Sequence, residues 1–146
     1  MVLIEELSGK KVFLDTSPFI YFIEKHSQFH DLVKPVISLI DQKKAIGLTS
    51  TLTLLEVLVQ PLRVGDKKLA EKYKAILLAS QNLVTYEISH GISERASLLR
   101  AEHNLRTPDA IQMATALYYQ ADYFFTNDPV FKKVKDIKVI ILSNFG

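Results

Sequence analysis

The sequence predicts an α/β fold with a mainly parallel sheet of about five strands, and two observations support this. Short runs of β-branched and aromatic residues recur along the chain, and segments with apolar stripes at helical spacing separate them. This alternation is typical of parallel sheets, because consecutive parallel strands need a crossover connection, usually a helix. The 146 residues contain no repeat, low-complexity tract or linker, so we expect a single domain spanning residues 1–146.

In the first half of the chain, a buried strand at residues 11–14 ends at Asp15. Thr16 and Pro18 provide a hydroxyl N-cap and an early proline for a short helix over 19–23. Asp31 is expected to cap a helix over 32–42, and a second strand follows at 46–48. Thr49, Ser50 and Thr51 are candidate N-caps for the next helix, which Pro61 should end. Residues 1–9 are interpreted as a short extra strand or a disordered tail.

In the second half, Gly65 and Asp66 open a helix whose apolar face includes Tyr73. A third strand is predicted at 83–88, and a helix follows that ends at Asn104. Thr107-Pro108-Asp109 repeats the hydroxyl-proline helix start before a helix over 110–119. The last two strands are predicted at 123–125 and 139–142.

Composition sets limits on the class of protein. A net charge of +2 is too small to identify a partner, and the absence of cysteine excludes disulfides and thiolate metal sites. The N-terminal residues include acids where a signal peptide would carry Lys or Arg, and no run is long enough to span a bilayer. We therefore expect a soluble cytoplasmic protein without a membrane segment.

The stretch 53–59 contains one carboxylate, Glu56, in an otherwise apolar helix. We interpret this helix as apolar on nearly every side and therefore covered by the rest of the protein. Glutamate is rarely buried unless it is paired or bound to a cation. Glu56 is therefore a candidate site residue. The structural alternative is a glutamate at the end of a buried face that reaches solvent or an arginine such as Arg63 or Arg106.

Three aspartates lie at the ends of predicted elements. Asp15 and Asp128 directly follow strands, so they should meet at the carboxyl edge of the sheet, where ligands bind in such folds. Asp109 opens a helix, and its convergence with the others is less direct because a helix precedes it. Each has a structural alternative: Asp15 ends a strand or joins the N-cap of the next helix, Asp109 interacts with the helix dipole, and Asp128 forms a turn.

Four carboxylates in one pocket would repel one another unless a multivalent cation neutralised them. Oxygen ligands without cysteine or a convincing histidine pair favour Mg²⁺ or Mn²⁺ over Zn²⁺. These ions keep bound water, which suits hydrolysis of a phosphodiester. We therefore predict that Asp15, Glu56, Asp109 and Asp128 form a divalent-metal site, with Glu56 binding the ion directly or through water.

Four short motifs occur in an order that resembles the PIN-domain ribonucleases, and most closely the toxin of VapBC-type toxin–antitoxin pairs. They are Val12-Phe13-Leu14-Asp15-Thr16-Ser17, Leu54-Leu55-Glu56-Val57, Thr107-Pro108-Asp109-Ala110 and Thr126-Asn127-Asp128. The resemblance covers nearly the whole chain. It implies a three-layer α/β/α sandwich, Mg²⁺- or Mn²⁺-dependent cleavage of single-stranded RNA, a homodimer, and a cognate antitoxin as partner.

The resemblance also assigns roles to individual residues. It maps the acidic quartet of the family onto Asp15, Glu56, Asp109 and Asp128, and it gives Thr16 and Thr126 the role of ordering the site. An additional acid carried by some members has only a weak candidate here, Glu102. Lys132, Lys133 and Lys135 follow Asp128 closely and are candidate RNA contacts; the alternative is a solvated basic loop.

Two other functions remain possible at this point. A receiver or phosphatase-like domain would also place an acid after the first strand, but a phosphatase of that kind needs a second acid at the position of Ser17. A receiver needs a lysine where Asn127-Asp128-Pro129 stands. A non-catalytic PIN-like module that binds RNA or protein is the other alternative, and the presence of all four acids argues against loss of catalysis.

Overall fold

The computed structural model describes residues 2–145 and contains one five-stranded sheet whose strands are all parallel, in the order β3-β2-β1-β4-β5. The strands are β1 (Lys11–Leu14), β2 (Ile46–Ser50), β3 (Leu83–Tyr86), β4 (Tyr123–Thr126) and β5 (Lys138–Ile141). The predicted number, order along the chain and parallel pairing of the strands are confirmed. Strand ends differ from prediction by one or two residues.

Within residues 2–145, seven α-helices connect or precede the strands. They are α1 (Val2–Leu7), α2 (Thr16–Ile23), α3 (His30–Asp41), α4 (Thr51–Arg63), α5 (Lys67–Ala79), α6 (His90–His103) and α7 (Thr107–Tyr118). Short 3-10 helices at Pro129–Lys133 and Leu142–Phe145 follow β4 and β5. The prediction of a strand or disordered tail before β1 was wrong, because α1 packs there, with Leu3 and Leu7 buried in the core. Met1 lies outside the described residues.

The core has two halves, one on each face of the sheet, because side chains alternate along each strand. On β1, Val12 and Leu14 pack with helices α1–α5, whereas Phe13 packs with α6 and α7. On β4, Phe125 and Phe124 divide in the same way. The structure is therefore a three-layer α/β/α sandwich, as predicted.

Several helix boundaries follow from local chemistry. Ser50 caps α4 by accepting a hydrogen bond from the Leu52 N–H, Asp66 caps α5 through the Leu69 N–H, and Asn104 ends α6 in the left-handed conformation. The prediction that Pro61 ends α4 was wrong: this buried residue lies inside the helix, which continues to Arg63.

The interpretation of α4 as covered on nearly every side was also wrong. Its buried residues lie along one side at helical spacing, Thr53, Val57 and Pro61. The opposite side is exposed and includes Glu56 itself. The helix packs through one side against α2, α5 and β2, so Glu56 does not lie in an apolar interior.

Candidate active site

The candidate site lies where the sheet order reverses. Strand β1 has β2 on one side and β4 on the other, so the connections leaving β1 and β4 diverge at their carboxyl ends. This is where α/β sheets of this type bind ligands. Asp15 directly follows β1, and Thr126 ends β4. Their side chains meet across the junction, since the Thr126 hydroxyl donates to Asp15 Oδ2 at 2.7 Å.

Asp15 occupies the N-cap position of α2, but beyond the adjacent Thr16 N–H its carboxylate makes no capping hydrogen bond to that helix. The carboxylate accepts hydrogen bonds from Thr126 and from Gln112 Nε2, the latter at 3.3 Å. Burial raises the pKa of the Asp15 carboxyl, and the hydrogen bonds from Thr126, the Thr16 backbone and Gln112 act in the opposite direction. Within residues 2–145, Asp15 has no Lys, Arg or His salt-bridge partner.

Glu56 lies on the exposed side of α4 and is linked to the end of β1 by Thr16. The Thr16 hydroxyl donates to Glu56 Oε1 at 2.6 Å. The negative charge of Glu56 contributes to raising the pKa of Asp15, so the two carboxylates are electrostatically coupled. Glu56 forms no salt bridge in the described part of the chain, so the pairing with Arg63 or Arg106 is not observed. Its exposure agrees with the other structural alternative, a glutamate that reaches solvent.

Asp109 is in the first turn of α7 and is 9% exposed. Its Oδ2 lies 3.1 Å from Nε of Arg106, the N-cap residue of the same helix. The hydrogen bond to Asp109 raises the pKa of Arg106, and the charges of Asp128 and Glu56 add to this effect. The exposed Arg106 guanidinium therefore lies within the electrostatic field of three of the four predicted acids.

The backbone of Asp128 is linked to the Asp15 carboxylate through the Thr126 hydroxyl. The Asp128 backbone N–H donates to Thr126 Oγ1 at 3.1 Å, while its own Oδ1 accepts from the Val130 N–H at 3.0 Å and caps the following 3-10 helix. Lys132 and Lys133 end that 3-10 helix and Lys135 follows it, and all three are exposed. Glu102 is exposed on α6.

The donor chemistry fits a hard cation such as Mg²⁺ or Mn²⁺. Within residues 2–145, no three His, Asp or Glu side chains lie close enough together to enclose a metal ion. Mg²⁺ does not need such a cage, because it keeps several waters and is held by one or two carboxylates. Asp15 can serve as one of these carboxylate ligands, because it is partly buried and has only neutral hydrogen-bond donors around it.

Sequence reasoning missed Gln112, which contacts Asp15 directly. A signal was present, because Gln112 is a polar residue in a helix of small and apolar residues, three positions after Asp109. Positions three apart lie on the same side of a helix. The pairing of Arg106 with Asp109 was also missed, although these two residues are likewise three positions apart.

Residues 12–137 match the family model of the PIN domain. The chain belongs to the PIN domain family. That match includes every predicted acid, Asp15, Glu56, Asp109 and Asp128. No curated protein sequence matches the chain significantly.

Solved structures of similar fold agree with this PIN domain assignment. One is VapBC2 from Rickettsia felis bound to a promoter DNA fragment, with a TM-score of 0.72, 20% identity, and coverage of 90% of this chain and 98% of that one. Another is VapC20 from Mycobacterium tuberculosis, a toxin that cleaves the sarcin–ricin loop, with a TM-score of 0.63, 20% identity, and coverage of 77% and 86%. At these identities the likeness establishes a shared fold.

A toxin–antitoxin complex from Klebsiella pneumoniae is also similar, with a TM-score of 0.61, 24% identity, and coverage of 88% of this chain and 95% of that one.

Among the described residues of this PIN domain, no helix combines the length and apolar character needed to cross a bilayer.

Proposed function

We propose that this PIN domain is a metal-dependent ribonuclease that hydrolyses phosphodiester bonds of RNA and acts as the toxin of a toxin–antitoxin pair. The observation that carries the proposal is the environment of Asp15. Its carboxylate lies at the point where the sheet order reverses, receives hydrogen bonds only from neutral side chains and the Thr16 backbone, and feels the negative charge of Glu56. An anion in this setting is suited to binding a cation.

Asp15 would hold Mg²⁺ or Mn²⁺ together with Asp109 and Asp128, and Glu56 would bind directly or through water. When bound, such an ion lowers the pKa of a coordinated water and stabilises charge on the phosphate oxygens. Thr126 orders the site by donating to Asp15 while accepting from the Asp128 backbone, and Thr16 holds Glu56.

Electrostatic attraction between basic side chains and RNA phosphates would bring the substrate to this edge of the sheet. Lys132, Lys133 and Lys135 provide three exposed cations next to Asp128, where they would contact RNA phosphates. The exposed Arg106 lies next to Asp109 and would meet the phosphate backbone once a metal ion neutralises Asp109.

A protein partner is part of the proposal, and two observations support it. Several structures with this fold are VapBC or toxin–antitoxin complexes. In this chain, α4 exposes an apolar stripe formed by Leu55, Val59 and Leu62, which are 59%, 42% and 65% exposed. Exposed apolar patches of this kind mark protein contacts. We propose a cognate antitoxin and a homodimer as partners of a cytoplasmic enzyme.

The test of the nuclease function uses the purified full chain and single-stranded RNA. Wild-type protein should cleave in Mg²⁺ or Mn²⁺ and stop on addition of EDTA. Asp15→Asn and Asp109→Asn should each lower the rate by at least about 100-fold, because each removes a proposed metal ligand. Glu94→Gln removes an exposed carboxylate on α6, outside the site, and should cleave like wild type.

A second candidate function is a non-catalytic PIN-like module that binds RNA or protein. Two observations favour it: Arg106 already pairs with Asp109, and the acids of the described chain form no closed three-ligand group. RNA binding that is unaffected by EDTA, without cleavage by the wild-type chain in either metal, would support this module and contradict the nuclease. Light scattering of the purified chain tests the homodimer separately.

A further inference from the structure

A buried amide joins three elements beneath the candidate site. Gln112 on α7 is 2% exposed. Its Nε2 donates to Asp15 Oδ1 at 3.3 Å and to Thr53 Oγ1 at 2.7 Å, and its Oε1 accepts from the Ser50 hydroxyl at 2.5 Å. A buried amide without partners is costly, and this one has both its donors and its acceptor occupied. The side chain is therefore held in one orientation.

The orientation of this amide follows from proton counting. A carboxylate accepts only, so the NH₂ group of Gln112 must face Asp15 and the carbonyl oxygen must face Ser50. Ser50 can serve the amide because its hydroxyl donates to Oε1 while accepting from the Leu52 N–H at the start of α4. The same hydroxyl thus caps the helix and fixes the amide.

The hydroxyl groups next to the amide belong to the same network. The Thr49 hydroxyl donates toward the Leu14 carbonyl and toward Thr53 Oγ1, both at 2.9 Å. Thr53 Oγ1 therefore accepts from Thr49, and it also accepts from the NH₂ group of Gln112.

We infer that Gln112 is a positioning residue for the metal-binding carboxylate Asp15, an inference that rests on the proposed function. Gln112 restrains Oδ1 of Asp15 and Thr126 restrains Oδ2, so the carboxylate plane is fixed from both sides. A carboxylate has about four acceptor sites, and the Thr16 backbone also donates to this one, so about one site remains free for a cation or its water. Groups that orient metal ligands in this way control metal affinity.

The same amide links Asp15 to the helix that carries Glu56. Thr53 is buried one helical turn before Glu56, and its hydroxyl lies 3.3 Å from that of Thr16, which donates to Glu56. Gln112 therefore sets the distance between the end of β1 and the start of α4. Loss of its hydrogen bonds would loosen both acids while removing no ligand.

The experiment measures Mn²⁺ affinity of the full chain by titration calorimetry and by the electron paramagnetic resonance signal of free Mn²⁺. Gln112→Met keeps the approximate length of the side chain and removes its donors and acceptor. We expect Mn²⁺ affinity to fall about 10–100-fold. RNA cleavage should lose a similar factor in kcat with little change in KM, because the buried Gln112 does not reach the substrate.

Thr115→Val is the matched control. Thr115 is fully buried on the same helix, and its hydroxyl donates only to the Ile111 carbonyl within the helix. This variant also removes a buried polar group, so it reports the effect of destabilising α7 alone. It should bind Mn²⁺ like wild type, with both variants shown to be folded by their thermal melts at the assay temperature.

A folded Gln112→Met protein with wild-type Mn²⁺ affinity and kcat would overturn the inference while leaving the nuclease proposal intact. Equal losses in Gln112→Met and Thr115→Val would also overturn it. A wild-type chain that neither binds Mn²⁺ nor cleaves RNA would contradict both the nuclease proposal and the inference about Gln112. If Gln112→Met does not fold, Ser50→Ala takes its place, because loss of the Ser50 hydroxyl frees the amide to rotate. We expect Ser50→Ala to lose Mn²⁺ affinity several-fold. Unchanged affinity would refute the inference.

Discussion

The hydroxyl of Thr16 donates a 2.6 Å hydrogen bond to the carboxylate of Glu56, which joins the residue after the first acid to the acid on α4. The backbone of Asp15 is itself tied to β4, since its N–H donates to the Phe125 carbonyl at 3.0 Å. Glu56 is on the exposed side of its helix, so this contact rather than burial determines where its carboxylate points.

Thr16→Val should therefore release Glu56 while keeping the shape of the side chain at position 16. We expect RNA cleavage to fall about 10-fold and Mn²⁺ affinity to fall less, since Glu56 is proposed to bind directly or through water. Thr16→Ser keeps the hydroxyl and is the control. Steady-state rates for the three proteins check this, and a Thr16→Val rate equal to that of Thr16→Ser would mean that the contact has no role.

Asp15→Asn and Asp109→Asn should affect the melting temperature differently in metal-free buffer. Burial disfavours the charged form of Asp15, so a neutral amide should leave the melting temperature unchanged or raised. Asp109 pairs with Arg106 in the first turn of α7, where an acid stabilises the helix by about 0.3–1 kcal/mol. Asp109→Asn should melt at or below the wild-type temperature. Differential scanning calorimetry with EDTA measures both.

Much of this arrangement could be predicted from the sequence because strand ends are marked locally. Asp15 and Asp128 each follow an apolar run, and parallel pairing brings those ends to one edge. The exposure of Glu56 could not be read from α4, since a helix with Leu or Val at most positions gives no unique buried side. Hydrogen-bond partners such as Gln112 for Asp15, 97 positions apart, depend on packing between distant segments.

Arg106→Gln should make the acids more available to a cation. The guanidinium of Arg106 competes for Asp109, and the charges of Asp128 and Glu56 also favour its protonated form. We expect Mn²⁺ affinity to rise about 2- to 5-fold and RNA affinity to fall, because one cation is lost from the substrate path. Arg95→Gln removes an exposed arginine from α6 and is the control. Lower Mn²⁺ affinity in Arg106→Gln would show that Arg106 assists metal binding.

Tyr73 provides a prediction of pH dependence remote from the site. Its ring is buried on α5, and its hydroxyl donates a hydrogen bond to Glu24 at the end of α2. Burial, followed by that contact, raises the pKa of Tyr73 well above its usual range. A tyrosine whose pKa is raised by folding stabilises the fold fully below about pH 10 and loses this contribution as pH rises further. Tyr73→Phe should cost about 1 kcal/mol at pH 7.

Urea denaturation of wild type and Tyr73→Phe at pH 7 and at pH 11 measures this difference. The gap in the free energy of unfolding should narrow at the higher pH, because only the wild-type unfolded chain gains from ionising a tyrosine at position 73. The change in the free energy of unfolding of Tyr73→Phe between pH 7 and pH 11 gives the effect of alkali on the other groups. A gap that is constant or wider at pH 11 would contradict a raised pKa of Tyr73.

The basic segment after Asp128 should contribute to RNA affinity through charge alone. Lys132, Lys133 and Lys135 are exposed, and none forms a salt bridge among the described residues. Replacing all three by glutamine should weaken binding of single-stranded RNA and make the slope of log K against log salt shallower by about 2, since each phosphate contact on a single strand contributes about 0.7. Fluorescence anisotropy across a salt series measures the slope.

A charge-matched control replaces Lys67, Lys68 and Lys72 on α5 by glutamine. This helix contributes no side chain to the candidate site, so the control should leave the slope unchanged. Equal changes in slope for both triple variants would mean that RNA responds to net charge rather than to a segment beside the acids.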